Sequence, residues 1–235
     1  MKPLKTILRI LKAVWSGSAR LHFSQYGEDI LLHKRFRKPS TGHFYVDIGA
    51  HHPYHLSNTA YLWSLGWSGV NVDASQAVIE AFKSARPDDL NIQAAIVSEA
   101  MSLSSSTIAF YSDKAIDNCA TCDPVIAQER GLTNVTVVPC LTLREIVERA
   151  NTRLTGKFGL LNIDIEGLDD EVIQSMDTWL QKPQIVMIEI YGEAIPDLLT
   201  TRTYRLLTES GYLFTERFGH TAVFELRAKE ALQVT

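Results

Sequence analysis

Apolar positions along the chain follow two rhythms. Near the start, Leu4, Ile7, Leu8, Leu11 and Trp15 recur at helical spacing, with Lys5, Arg9 and Lys12 falling largely elsewhere on the wheel. Residues 1–20 therefore open on a short basic amphipathic helix. Ile30, Leu31, Leu32 and Phe36 suit a helix lying on a sheet. From Phe44 onward, short runs rich in Val, Ile, Leu and Phe alternate with helical stretches. Phe44-Tyr45-Val46-Asp47-Ile48 reads as a buried strand, and runs at 70–72, 90–96, 107–111, 135–138, 158–163 and 184–188 repeat the theme. Helices are predicted after Ser57-Asn58-Thr59, around Val78, Ile79 and Phe82, and over Leu168–Met176. Two more run from Thr142, whose Glu145 completes a capping box, and through Tyr204, Leu206 and Leu207 to Gly211. Tyr212–Thr215 and Ala222–Leu226 close the chain as paired strands joined through Arg217-Phe218-Gly219-His220. Strands alternating with helices predict an α/β fold with its ligand site at the carboxyl ends of the strands.

Composition bounds this picture. The chain has 235 residues, 46 % hydrophobic and 21 % charged, which suits one domain with a sizeable core plus a short extension. The predicted division is a helix over residues 1–20 and a domain over 21–228. The net charge of −4 is uneven: residues 1–20 carry +5, which leaves −9 on the remainder. An acidic body argues against a general nucleic-acid binder, which needs a basic surface. Three cysteines and no secretory segment favour a reducing compartment. No apolar run approaches the roughly 20 residues of a membrane span, and Lys5, Arg9 and Lys12 interrupt what would be a signal peptide's apolar core. The expectation is a cytoplasmic protein. Its basic helix either packs on the domain or a partner subunit, or holds the protein at the inner face of a membrane.

Candidate chemistry gathers at the strand ends. Gly49 follows the first strand and permits a turn that a side chain would obstruct. Asp73 ends the second strand, 26 positions after Asp47, where nucleotide-binding α/β folds place an acid on the ribose hydroxyls. It can alternatively cap the following helix. Small Ala94 and Ala95 leave room for a flat ring. Residues 112–134 show little periodicity and read as a lid or substrate-facing insertion. They contain Cys119 and Cys122 at zinc or dithiol spacing, but Cys140 alone cannot complete a four-thiolate site, so reduced thiols are expected. Two central strands end in carboxylates, Asp164 with Glu166 and then Glu189, which concentrates charge at one rim. His220 sits in a turn that returns to the same rim.

Taken together, these segments resemble the FkbM family of S-adenosylmethionine-dependent methyltransferases. The matching pieces are Ser24-Gln25-Tyr26-Gly27-Glu28-Asp29, Asp47-Ile48-Gly49-Ala50-His51-His52-Pro53, Ser57-Asn58-Thr59 and Asn71-Val72-Asp73-Ala74. Leu141-Thr142-Leu143, Asn162-Ile163-Asp164-Ile165-Glu166-Gly167 and Ile188-Glu189 complete the ordered set, which covers roughly residues 22–227. The resemblance implies a class I methyltransferase (Rossmann-like) fold: a seven-stranded mixed sheet, its last strand antiparallel, with helices on both faces. It implies a hydroxyl acceptor on a sugar, a glycan or a natural-product scaffold. It also implies that Asp47, Gly49, Ala50 and Asn58 contact the cofactor with Gln25 and Glu28 closing over it, that Asp73 holds the ribose, and that Ala74, Ser75 and Ala95 line the adenine slot. The single glycine departs from the Gly-x-Gly-x-Gly loop of many class I enzymes, but the His-His-Pro version is itself familiar from this family.

Methyl transfer to a hydroxyl requires alignment of the acceptor and removal of its proton. Asp164, His51 and His220 are the candidate general bases. Alternatively, Asp164, Glu166 and Glu189 form a candidate ligand set for Mg²⁺ or another divalent cation. Two rival functions have weaker support: an NAD-dependent oxidoreductase, whose Gly-x-Gly-x-x-Gly fingerprint is missing, and a non-catalytic methyltransferase-like binding module. A small-molecule or glycan acceptor is the expected partner, with self-association as an open alternative.

Overall fold

The computed structural model describes residues 2–36, 42–117, 119–165, 172–174, 179, 181–192 and 194–227. Its strands are β1 (His43–Ile48), β2 (Ser68–Asp73), β3 (Leu90–Gln93), β4 (Ala95–Val97), β5 (Thr107–Tyr111), β6 (Val135–Thr142), β7 (Lys157–Ile163), β8 (Ile185–Glu189), β9 (Tyr212–Phe218) and β10 (Thr221–Leu226). The helices are α1 (Lys2–Trp15), α2 (Glu28–Arg35), α3 (Ala60–Ser64), α4 (Gln76–Ala85), α5 (Glu99–Ser104), α6 (Pro124–Arg130), α7 (Leu143–Arg153), α8 (Ile195–Thr200) and α9 (Arg202–Glu209). Seven strands form the main sheet in the order β3-β2-β1-β7-β8-β10-β9, and β10 runs antiparallel to both its neighbours. This is the mixed, Rossmann-like sheet expected from the sequence, with the crossover in strand order between β1 and β7.

Residues on β1 point alternately to two apolar layers, as strand geometry requires. Phe44, Val46 and Ile48 face one layer with Ile146, Val147 and Ala150 of α7 and Leu207 of α9. Tyr45 faces the other with Leu31 and Leu32 of α2 and Leu62 of α3. The sheet is therefore covered on both sides, which explains why its central strands read as continuous apolar runs.

The local expectations fare differently. The single strand expected over 90–96 breaks at Ala94, because β4 leaves the main sheet to pair with β6 in a three-stranded sheet ordered β4-β6-β5. No glycine or proline falls within Leu90-Asn91-Ile92-Gln93-Ala94-Ala95-Ile96, so the sequence carries no conventional signal for the change of sheet. At the start of α3, Ser57 Oγ caps Ala60 N–H, while Thr59 turns its hydroxyl inward to Asp47. The insertion near 112–134 is less irregular than expected: Asp123 caps α6, and Asp113 accepts hydrogen bonds from the N–H groups of Thr133 and Asn134. The helix expected over Leu168–Met176 lies mostly outside the described residues, although Val172 and Ile173 are buried in the core.

The amphipathic helix α1 forms, but its side chains from Leu4 to Lys12 are all exposed, so it does not pack on the domain. Each large apolar side chain left in water forgoes roughly 1.5–3 kcal/mol of burial.

Beneath the loop after β1 lies a fully buried cation. Arg86, just past α4, donates through Nη1 to Tyr45 Oη (2.9 Å) and Thr59 Oγ1 (3.0 Å). Its Nη2 donates to Pro53 O and to Ser57 Oγ (3.3 Å). Tyr45 donates its own proton to Asp89 Oδ2 (2.6 Å), and Asp89 also accepts from Gly69 N–H and Asn71 Nδ2. Removing one partner from such a network leaves charge uncompensated in the interior. Arg86→Met is therefore expected to lower unfolding free energy by about 3–5 kcal/mol, measured by urea denaturation. A loss no larger than that of an exposed substitution such as Arg205→Met would contradict this account.

Candidate active site

The carboxyl ends of β1, β2, β7 and β8 surround a cavity of about 250 Å³. At its floor, β1 and β7 approach so closely that glycine is obligatory. Gly49 has φ +75°, and a Cβ there would lie 1.7 Å from the carbonyl oxygen of Asp164. The Gly49 and Ala50 N–H groups both donate to Val72 O, which ties this turn to β2.

One wall is polar. Asp47 is buried, and its carboxylate accepts from Thr59 Oγ1 (2.6 Å) and Asn162 Nδ2 (2.9 Å). Asn162 in turn accepts from Asn58 Nδ2 (3.0 Å). Burial pushes the Asp47 carboxyl up, and these two hydrogen bonds oppose the shift. Across the cavity, Asp73 accepts from the N–H groups of His51 (3.0 Å) and Ser75 (2.8 Å). Burial raises the Asp73 carboxyl to about 6. Each of its oxygens keeps a lone pair for a further donor. The lining also includes an apolar group in which Ala74 packs with Ala95 and Phe110.

His51 lines the cavity from a strained position, with φ +54°. Its backbone is held there by the bond to Asp73. Burial lowers the imidazole below its ordinary value, and the nearby His52 and His55 add to the shift, so a neutral ring is favoured at neutral pH. His52 serves the loop instead. Its Nδ1 accepts from the N–H groups of Tyr54 and His55 and closes the turn.

Of the residues singled out from the sequence, Gln25, Asp47, Gly49, Ala50, His51, Asn58, Asp73, Ala74, Ala95, Asp164 and Glu189 all line this one cavity. Three others do not. Glu28 is buried, and its carboxylate accepts from Tyr26 N–H (2.8 Å) at the lead-in turn. Ser75 is the cap of α4, accepting from Val78 N–H and donating to Ala115 O, so Asp73 does not have to cap that helix. His220 is exposed on the β9–β10 turn, packed against Tyr191 with ring centroids 5.3 Å apart.

Asp164 and Glu189 belong to the candidate metal set, and Glu166 lies outside the described residues. Among the described residues, no group of three or more His, Cys, Asp or Glu side chains could hold a metal ion. Sequence reasoning missed Leu56, Phe110, Asp117 and Thr121, which complete the lining. These last two, with Ala120, come from the stretch over 112–134, whose lack of periodicity gives no signal for which residues line the cavity. Cys122 also faces the cavity, and burial pushes its thiol up to about 12, the behaviour of an inert packing residue.

A family model, the methyltransferase FkbM domain, matches residues 47–214, which includes the strand-end residues of the cavity. The chain belongs to the FkbM methyltransferase family. No curated protein matches it. The FkbM match begins at Asp47, so α1 and the Ser24–Asp29 turn precede the matched segment.

Gly49→Ala is expected to displace the FkbM domain's β1–β7 junction and abolish ligand binding at the cavity. Near-UV circular dichroism and titration calorimetry would check this, and a variant that binds as wild type does would contradict it.

Proposed function

We propose that this FkbM protein transfers a methyl group from S-adenosylmethionine to a hydroxyl oxygen of a sugar or glycan. The observation that carries this reading is the set of groups lining one cavity: the Asp47–Asn162–Asn58 chain, Gly49, Asp73 at the neighbouring strand end, and the apolar group Ala74, Ala95 and Phe110. That set suits a zwitterionic amino acid, a ribose and a flat base. Asn58 and the Asp47 network offer both donors and acceptors to the amino-acid portion. Asp73 above its pKa presents two acceptors to vicinal hydroxyls. Ala74, Ala95 and Phe110 accept the ring by contact.

When bound, S-adenosylmethionine supplies a methyl carbon activated by its sulfonium. The remaining work falls to this chain. His51, neutral at neutral pH, accepts the acceptor's hydroxyl proton, and Asp164, just past the neighbouring strand β7, orients that hydroxyl. An aromatic rim supports a sugar acceptor. Tyr26 is exposed, receives a hydrogen bond from the cavity residue Gln25, and packs on Gly219 of the β9–β10 turn. Tyr191 and His220 extend that surface next to Glu189. Such rings stack on the apolar faces of pyranoses while their polar tips meet hydroxyls.

Calorimetry separates this reading from its rivals: S-adenosylmethionine should bind and NAD should not, and failure to bind S-adenosylmethionine would overturn it. Asp73→Ala should weaken that binding about 10–100-fold, the worth of hydrogen bonds to a charged group.

Acidity should act on two parameters separately. Cofactor affinity falls as pH drops through about 6, because protonated Asp73 loses acceptor capacity. The acidic limb of kcat lies below 6.5 and disappears in His51→Ala, whose turnover drops about 10²–10⁴-fold. A His51→Ala enzyme with unchanged kcat would reassign the base.

A further inference from the structure

The helix α1 separates its residues cleanly by chemistry. At helical periodicity, Leu4, Ile7, Leu8, Ile10, Leu11 and Trp15 share one side, and Lys5, Arg9 and Lys12 share the other. The large apolar members are 52–93 % exposed, so no part of the described domain covers them. At 14 residues the helix is about 21 Å long, too short to cross a bilayer, and no described helix is long and apolar enough to do so.

The helix also ends in a defined break. Gly17 takes φ +72°, and both Ser16 Oγ and Ser18 Oγ donate to Ala13 O, which closes the last turn. The chain then continues through Arg20 without regular secondary structure.

We propose that α1 lies in the interface of an anionic lipid membrane and holds the domain against it. Charge supports lipid over a second copy of the chain packed apolar side to apolar side. Residues 1–20 carry +5 and no acid, so two such helices brought together add repulsion, whereas an anionic surface neutralises every cation. The large indole of Trp15, the most exposed aromatic side chain of the set, sits where an interfacial anchor is favoured. This inference stands apart from the methyl-transfer reading and survives its failure.

Vesicle flotation of the full chain provides the test. Vesicles of phosphatidylcholine mixed with phosphatidylglycerol should carry the protein, and vesicles of phosphatidylcholine alone should not. Lys5→Glu and Arg9→Glu should each reduce partitioning at least about fivefold, the factor expected for losing one cation near an anionic surface. High salt should weaken binding in wild type. The double variant Leu8→Glu/Leu11→Glu should abolish flotation while leaving the thermal melting of the domain unchanged, because α1 contributes nothing to its core. Absence of flotation, or flotation unaffected by these variants, would overturn the proposal. So would a dimer by light scattering that Leu8→Glu/Leu11→Glu dissociates, with no lipid binding, since that assigns the face to a second copy.

Discussion

The guanidinium of Arg86 is the constraint on which the site depends. It is a cation removed from water, and its hydrogen bonds reach β1 at Tyr45 and the loop after β1 at Pro53, Ser57 and Thr59. Three aromatic rings, Phe82, Trp63 and Tyr54, surround it at 5.0–6.0 Å from the guanidinium carbon. Burying such a charge is costly unless acids balance it, and Asp89 and Asp47 do so through Tyr45 and Thr59. The loop therefore cannot move without breaking a network whose members are all interior. Because Thr59 joins that network to Asp47, the same cation that moors the loop also fixes a wall of the cavity.

Local strain is tolerated for the same reason. His51 holds a left-handed conformation that non-glycine residues seldom adopt, and it does so between the moored loop and the Asp73 carboxylate. Gly49 has no freedom to be anything else, since β7 occupies the space its side chain would need. Two backbone positions, one strained and one crowded, thus place an imidazole and a strand-end carboxylate in the same cavity. Hydrogen bonds from backbone N–H groups and amides stabilise the acids around it, while burial keeps Asp73 near the middle of the pH range.

The contrast between the two ends of the chain follows from the same physics. The FkbM domain covers its sheet on both faces, so its apolar residues are satisfied within one chain. Helix α1 has equally strong apolar periodicity but no sheet beneath it. Periodicity shows that a helix has an apolar side; what that side meets depends on where the chain leads it. In sequence, the stripe of α1 and the stripe of α7 look alike, and only the fold separates a core helix from an exposed one.

Much of the site was legible because strand ends are marked chemically. An apolar run that stops at an acid or a glycine declares both a strand and its rim, and Asp47, Gly49, Asp73, Asp164 and Glu189 all announce themselves in that way. The seven-stranded sheet follows from the alternation of such runs with helical ones. Sequence alone could not supply contacts between residues far apart in the chain. No motif marks Arg86, Glu28 reads as an acid closing over a ligand, and Ala94 reads as part of one strand with Leu90. Burial of a charge, the direction of a carboxylate and the departure of a strand to a second sheet are set by what packs across from each residue. Those neighbours come from distant segments, so only the tertiary structure decides them.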